Sequence, residues 1–286
     1  MKATKDRRRK REMKINPASK ESHRPLARRR CVRALARVSL GIVVSGLMAG
    51  FTSIPAVNAG AATSITSNKP YAQAQLLKLP NLPRGWTRSG SVWAGTSASD
   101  DSSSMLTMTQ FPGLSTCLGS PPALSVVAAE ASSPEFDSKD GNTSILDVAD
   151  VYTSPDQAKS DFPPLNDPKF ASCFLQVQGP SIENIEKNEW PSGATFGTPM
   201  ASVSHQPKFG DQSGLVEVEV PVNLPGEQGG TDDFFVTLII RQGRSTAELI
   251  MDQGDTPPSA ALTDSLAQTV TAKMKAPPPG NVTIAA

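Results

Sequence analysis

The C-terminal third of the chain shows the clearest alternation of hydrophobic and polar positions. In "GLVEVEVPV", residues 214–222, every second residue is a valine: Val216, Val218, Val220 and Val222. Glu217 and Glu219 occupy the positions between them. A period of two residues predicts a strand with one buried face and one solvated face.

The next segments predict the rest of a sheet and a helix that packs on it. "FFVTLIIR", residues 234–241, is nearly all apolar, which is typical of a central strand covered on both faces. Gln242-Gly243 predicts a tight turn into "STAELIM", a strand of alternating pattern. Residues 260–274 then predict an amphipathic helix, with apolar residues at four-residue spacing: Leu262, Leu266, Val270 and Met274.

Similar signals occur in the middle of the chain. "SILDVADVY", residues 144–152, predicts a strand, and Ser154 followed by Pro155 predicts the start of a helix. "DPKFASCF" predicts a helix with Phe170 and Phe174 on one face. Together these elements predict an α+β fold, a single antiparallel β-sheet with helices packed on one face, preceded by a signal peptide.

An export signal is predicted near the N-terminus. Residues 38–68 contain no charged side chain, and arginines precede them. Pro55 is followed by two small-residue cleavage candidates, after Ala59 and after Ala61, of which the Ala59–Gly60 bond is the predicted site. Residues 1–37 are then the basic n-region, and 38–59 the h- and c-region. A flexible linker at 60–75, an α+β domain at 76–276 and a disordered tail at 277–286 follow. An uncleaved anchor is the alternative, and in both cases the domain lies outside the cytoplasm.

Charge is divided unequally between the head and the body of the chain. Residues 1–59 contain 15 Lys and Arg against 3 Asp and Glu, a net charge of +12, whereas residues 60–286 carry a net charge of −11. An acidic body repels phosphate, so nucleic acid is not an expected partner.

Two cysteines remain once the signal peptide is removed with Cys31. Cys117 and Cys173 form an even pair in an oxidising compartment, which indicates a disulfide, although two buried free thiols would have the same sequence. His205 is the only histidine in the exported part. Because zinc requires several His or Cys ligands at fixed spacings, neither a metal site nor a cofactor is expected.

No catalytic motif stands out. The chain has no G-x-S-x-G, H-E-x-x-H or phosphate-loop sequence. A two-carboxylate hydrolase could use one of three acidic pairs, Glu217/Glu219, Asp232/Asp233 or Asp147/Asp150, but alternating glutamates are also typical of a solvated sheet face. Three tryptophans could line a ligand groove or fill space under loops: Trp86, Trp93 and Trp190.

The order of these features is similar to that of a known class of exported domains. "VYTSPDQA", "ASCF" and "VTLIIRQGRSTAELIM" resemble the sensor-like domains of actinobacterial receptor Ser/Thr kinases and of related secreted proteins or lipoproteins, over residues 76–276. Domains of that class usually contain a second disulfide, which this chain lacks.

The resemblance implies a secreted or cell-surface binding or sensor-like domain without catalytic residues. Its partner would be an unknown small molecule, a cell-wall fragment or a protein, with membrane contact only if the signal segment is uncleaved. A cell-envelope hydrolase and a structural envelope protein are the alternatives.

Export predicts a definite N-terminus for the mature chain. N-terminal sequencing of the secreted protein should begin at Gly60, because small residues precede that bond. Secreted material that begins before Val38 would contradict cleavage.

Overall fold

The fold is described from a computed structural model that covers residues 68–95, 112–120, 127–204, 209–226 and 229–276. The predicted signal peptide with its Ala59–Gly60 cleavage site, His205 and the tail at 277–286 lie outside these described residues.

Five helices and ten strands make up the described part of the chain. The helices are α1 (Asn68–Gln75), α2 (Pro112–Leu118), α3 (Pro155–Asp161), α4 (Phe170–Glu189) and α5 (Ala260–Lys275), with a 3-10 helix at Leu79–Asn81. The strands are β1 (Thr87–Ser89), β2 (Trp93–Gly95), β3 (Val127–Ser132), β4 (Glu135–Asp137), β5 (Thr143–Tyr152), β6 (Thr195–Phe196), β7 (Met200–Ser204), β8 (Gln212–Asn223), β9 (Thr231–Gln242) and β10 (Ser245–Gly254).

The described strands form one antiparallel sheet. Its main path runs β1-β4-β5-β10-β9-β8-β6, with β3 also paired to β5, β2 paired to β3, and β7 paired to β8. The three long strands β8, β9 and β10 follow one another through hairpins, as their patterns predicted. The α+β class with an antiparallel sheet is therefore confirmed.

Both faces of the central strands are buried. From Phe234 to Ile240 every side chain of β9 is buried, and β10 is buried from Ser245 to Asp252. The prediction that helices pack on one face was therefore wrong, because apolar side chains project from both faces and each face needs a cover. The alternating pattern of "STAELIM" predicted a strand with one buried face, whereas β10 is buried on both.

One face, called the α5 face, lies under α5 and α1. Leu266 and Val270 of α5 pack with Leu238 of β9 and Leu249 of β10. Tyr71 and Ala72 of α1, with Leu76 just after the helix, pack against alanines of β3 and β5 and against Val151. Arg244 fastens α1 from the β9–β10 hairpin, since its Nη2 donates to Asn68 Oδ1 at 2.9 Å.

The predicted linker boundary at residue 75 is too late. Residues 68–75 form α1, with Tyr71 and Ala72 buried, so part of the predicted linker belongs to the fold. The turn between β9 and β10 also differs by one residue from the predicted Gln242-Gly243. It consists of Gly243 and Arg244, and Gly243 has a φ of 58°, which glycine adopts without steric cost.

The opposite face, called the α4 face, lies under α4 and α2. Phe170, Phe174 and Ile182 of α4 join Val216 and Val218 of β8 in one apolar cluster. The rings of Phe170 and Phe174 stack with centroids 6.2 Å apart. At the end of β5, α3 begins as predicted, since the Ser154 hydroxyl accepts the N–H of Gln157.

The predicted disulfide between Cys117 and Cys173 is present, with a Cα–Cα distance of 5.6 Å. It joins α2 to the first turn of α4, so it links two helices. None of the helices in the described ranges is both long and apolar enough to cross a membrane.

The packing of α5 generates a stability prediction. Leu266 is 1% exposed, so Leu266→Ala should lower the free energy of unfolding by about 2–5 kcal/mol in urea denaturation. Leu262 lies one turn earlier and only packs partly against the same cluster, so Leu262→Ala is the matched control and should cost less. Equal decreases in the free energy of unfolding for the two variants would contradict the described packing of α5 on the sheet.

Candidate functional site

Helix α4 is continuous from Phe170 to Glu189 but contains a Gly-Pro pair near its middle. Pro180 has no N–H to donate to the carbonyl of Gln176, and Gly179 precedes it. A Gly-Pro pair is a common place for a helix to bend, and a Cβ added at Gly179 would meet nothing within 4 Å. We call this point the Gly179–Pro180 joint.

The two halves of α4, before and after the Gly179–Pro180 joint, are held to the rest of the domain in different ways. Cys173 ties the N-terminal half to α2 covalently, whereas the half after the joint is held by packing, through Ile182 and Ile185. The second half can therefore move away from the sheet without breaking a covalent link.

An apolar cavity lies between the two halves of α4 and the sheet. Its lining consists of six apolar residues and one hydroxyl-bearing residue: Phe174, Ile182, Val216, Val218, Phe235, Ile250 and Thr237. The lining contains no ionisable side chain, and the enclosed space is about that of one water molecule. The cavity can therefore accept an apolar group, provided that α4 moves to enlarge it.

Two of the three predicted acidic pairs are separated by the sheet. Asp147 and Asp150 are three residues apart in β5, and Asp232 and Asp233 are adjacent in β9, so the members of each pair point to opposite faces. Neither pair can therefore act on one substrate bond.

Glu217 and Glu219 do share a face. They lie on the α5 face of β8, opposite Ser202 and Met200 of β7, and both are half-buried. Burial and the neighbouring Glu219 carboxylate raise the pKa of Glu217. This open sheet surface matches the solvated face that the alternation indicated, and it is remote from the apolar cavity on the other face.

The three tryptophans occupy different parts of the molecule. Trp86 precedes β1 and packs on the α5 face cluster, whereas Trp93 lies in β2 opposite Ser132. Trp190 ends α4, is 8% exposed, and precedes β6. Because β1 and β6 are at opposite ends of the strand order, Trp86 and Trp190 lie toward opposite ends of the sheet. None of the three lines the apolar cavity.

Asp147 is a buried carboxylate at the junction of α1 with the sheet. Its Oδ2 accepts the N–H of Leu77 at 2.6 Å, while its Oδ1 has no hydrogen-bond partner. Burial raises the pKa of Asp147 to about 7, against the lowering effects of the Leu77 hydrogen bond and of Lys273. Lys273 of α5 donates its Nζ to the carbonyl of Leu76 at 2.7 Å.

The described residues include no group of three His, Cys, Asp or Glu side chains that could hold a metal ion. No local sequence pattern indicates the cavity, because its lining comes from α4, β8, β9 and β10. The Gly-Pro pair inside a helical pattern was the one local sign that could have indicated it.

Comparison with known proteins gives low similarity to two solved structures from mycobacteria. The extracellular domain of PknH from Mycobacterium tuberculosis is 9% identical with a TM-score of 0.37, covering 72% of this chain and 95% of that one. A putative uncharacterized protein from Mycobacterium smegmatis is 9% identical with a TM-score of 0.33, covering 73% and 96%.

No family model and no curated protein matches the chain. One of these two similar structures is an extracellular domain, the class of domain that the sequence resembles.

The burial of Asp147 generates a prediction for stability against pH. Its folded pKa of about 7 exceeds the ordinary aspartate pKa of 3.8, so its stabilising contribution is complete below pH 3.8 and is lost as the pH rises to about 7. Asp147→Asn can still accept the Leu77 N–H but does not ionise. From pH 5 to pH 8, urea unfolding should show the wild type losing about 3 kcal/mol relative to this variant.

Glu183→Gln is the control for that measurement. Glu183 is an exposed carboxylate on α4, 3.7 Å from Lys187. The free energy of unfolding of Glu183→Gln should stay within about 0.5 kcal/mol of the wild-type value from pH 5 to pH 8. If Asp147→Asn behaved like Glu183→Gln, the carboxyl of Asp147 would not be a neutral buried group at pH 5.

Proposed function

We propose that this protein is an extracytoplasmic, non-catalytic binding domain of the sensor-like kind, and that it takes an apolar ligand group between α4 and the sheet. The observation that carries the proposal is the cavity itself, which is lined by apolar side chains with the Thr237 hydroxyl as its polar group. Binding sites of this composition hold apolar ligands and use a few polar atoms to orient them.

The Cys117–Cys173 disulfide supports the extracytoplasmic part of the proposal. Disulfides persist in oxidising compartments and are rare in reducing ones. The predicted signal segment leads to the same compartment.

The construction of α4 supports the binding part. A ligand larger than one water molecule needs the helix to move, and the joint allows that movement while the disulfide retains the N-terminal half. Movement of one half-helix on binding would also give a sensor domain a structural signal, since Ile182 and Ile185 would leave the cluster that they share with Val216.

A thermal-shift experiment with neutral apolar probes tests the proposal. Benzene and 1-hexanol should raise the melting temperature, because a ligand at 100 times its Kd adds about 2.7 kcal/mol to the free energy of unfolding. Val218→Ile adds one methylene to the cavity lining and should abolish this shift. Val220→Ile is the matched control on the same face of β8, since Val220 is buried but does not line the cavity.

A variant of the joint provides a second, independent readout. Gly179→Ala combined with Pro180→Ala restores a continuous hydrogen-bond ladder and should slow probe binding while stabilising the free protein. No shift with either probe in the wild type would contradict the binding proposal. Release of reducing ends from envelope polysaccharide, lost in Glu217→Gln, would instead identify the carboxylate hydrolase.

A further inference from the structure

The first described segment of the domain is basic, although the exported body as a whole is acidic. Residues 68–95 contain Lys69, Lys78, Arg84 and Arg88 and no Asp or Glu, whereas residues 60–286 carry a net charge of −11. The side chains of these four basic residues are exposed.

The fold brings the C-terminal end of α5 to this basic segment. Tyr71 donates its hydroxyl to the carbonyl of Met274 at 3.1 Å, which places Lys275 beside α1. Lys273 reaches the carbonyl of Leu76, and burial and then the charge of Lys78 lower the pKa of Lys273. The two lysines are therefore close enough to repel each other in the absence of an anion.

The turn before β5 adds a further cation. The aliphatic part of Lys139 lies against Gly85, where an added Cβ would come within 3.3 Å of Lys139 Cδ. The neighbouring Asp140 accepts hydrogen bonds from the hydroxyl of Ser138 and the N–H of Asn142, which lower its pKa, so a carboxylate lies next to Lys139 in this turn. We call the resulting surface the basic face, which consists of Lys69, Lys78, Arg84, Lys139, Lys273 and Lys275.

Apolar residues are exposed within the basic face. Leu79 is 37% exposed, and Pro80 and Pro83 beside it are exposed as well. They follow Lys78 and precede Arg84 along the chain, so cations flank them on both sides. Cations around an exposed apolar side chain are typical of surfaces that bind at a membrane interface.

The position of the basic face in the chain matches a membrane partner. The apolar export segment ends before Pro55, and 13 residues separate it from Asn68. Even fully extended, that separation spans at most about 45 Å. The face that begins at Asn68 is therefore delivered to the membrane surface when the chain is exported.

We propose that the basic face docks on the anionic phospholipid headgroups of the extracytoplasmic membrane surface, with Leu79 at the interface. This binding belongs to the folded domain and does not need the apolar export segment. It is also independent of the proposed apolar ligand, because the cavity lies on the α4 face and the basic face is built on α1 and α5.

Vesicle co-sedimentation tests this docking. The exported chain that starts at Gly60 retains every described helix and strand. At low salt it should sediment with vesicles of phosphatidylglycerol and phosphatidylcholine but not with phosphatidylcholine alone, and high salt should release it. Each lysine near such a surface contributes about fivefold to the partition coefficient, so Lys69, Lys78 and Lys275 changed together to Gln should weaken binding about a hundredfold.

The matched control removes three other exposed lysines, changing Lys159, Lys169 and Lys187 to Gln. They lie on or beside α3 and α4, away from the basic face, and the net charge changes by the same amount. This control should bind the vesicles as well as the wild type does or within a few-fold. Leu79→Ser should weaken binding without changing its dependence on salt.

Three results would overturn the proposal. They are equal loss in the two triple-lysine variants, no sedimentation of the wild type with anionic vesicles at low salt, and binding to a soluble anionic wall polymer without binding to vesicles. Far-UV circular dichroism of both triple-lysine variants verifies that each variant is folded, so that a loss of vesicle binding cannot come from unfolding.

Discussion

Burial of the central strands on both faces is the constraint on which the rest of this structure depends. Strand β9 has apolar side chains at successive positions, so neither face of the sheet can be left to water. Helix α5 covers one face through Leu266 and Val270, and α4 covers the other through Phe174 and Ile182. The apolar cavity lies under α4, and the basic face is built on α1 and α5.

The two covers are held in different ways, which separates their roles. The α5 face is closed by polar contacts of long sequence separation, such as Arg244 to Asn68 and Tyr71 to Met274, which fasten the N-terminal helix to the hairpin and to α5. The α4 face has a covalent tie at Cys173 and a helix that lacks one backbone hydrogen bond at Pro180. The first arrangement fixes a surface, and the second leaves half of a helix able to move over a cavity.

The sequence predicted those features that depend on short-range pattern. The alternation of Val216 and Val218 with Glu217 found a strand and its buried face, and Ser154 found the start of a helix. Features that depend on distant contacts were missed. Helix α2, which contains Cys117, was not predicted because its residues carry no helical periodicity.

In the candidate site, strand geometry alone excludes the predicted pairing of Asp147 with Asp150. Residues three apart in a strand face opposite sides of the sheet. The cavity could not be predicted, since it exists only where α4 meets three strands that are consecutive in the sheet but distant from α4 in sequence. The burial of Asp147 likewise depends on α1 and on Leu77 just after it, and α1 lies wholly within the predicted linker at 60–75.

Native-state hydrogen exchange of the oxidised protein tests most directly the claim that half of α4 moves over a rigid sheet. Amides of β9 between residues 234 and 240 should exchange only through global unfolding, because both faces there are buried. In α4, amides 174–178 should be nearly as protected, whereas amides 181–188 should exchange through a local opening of lower free energy. Equal protection in the two halves of α4 would contradict the account.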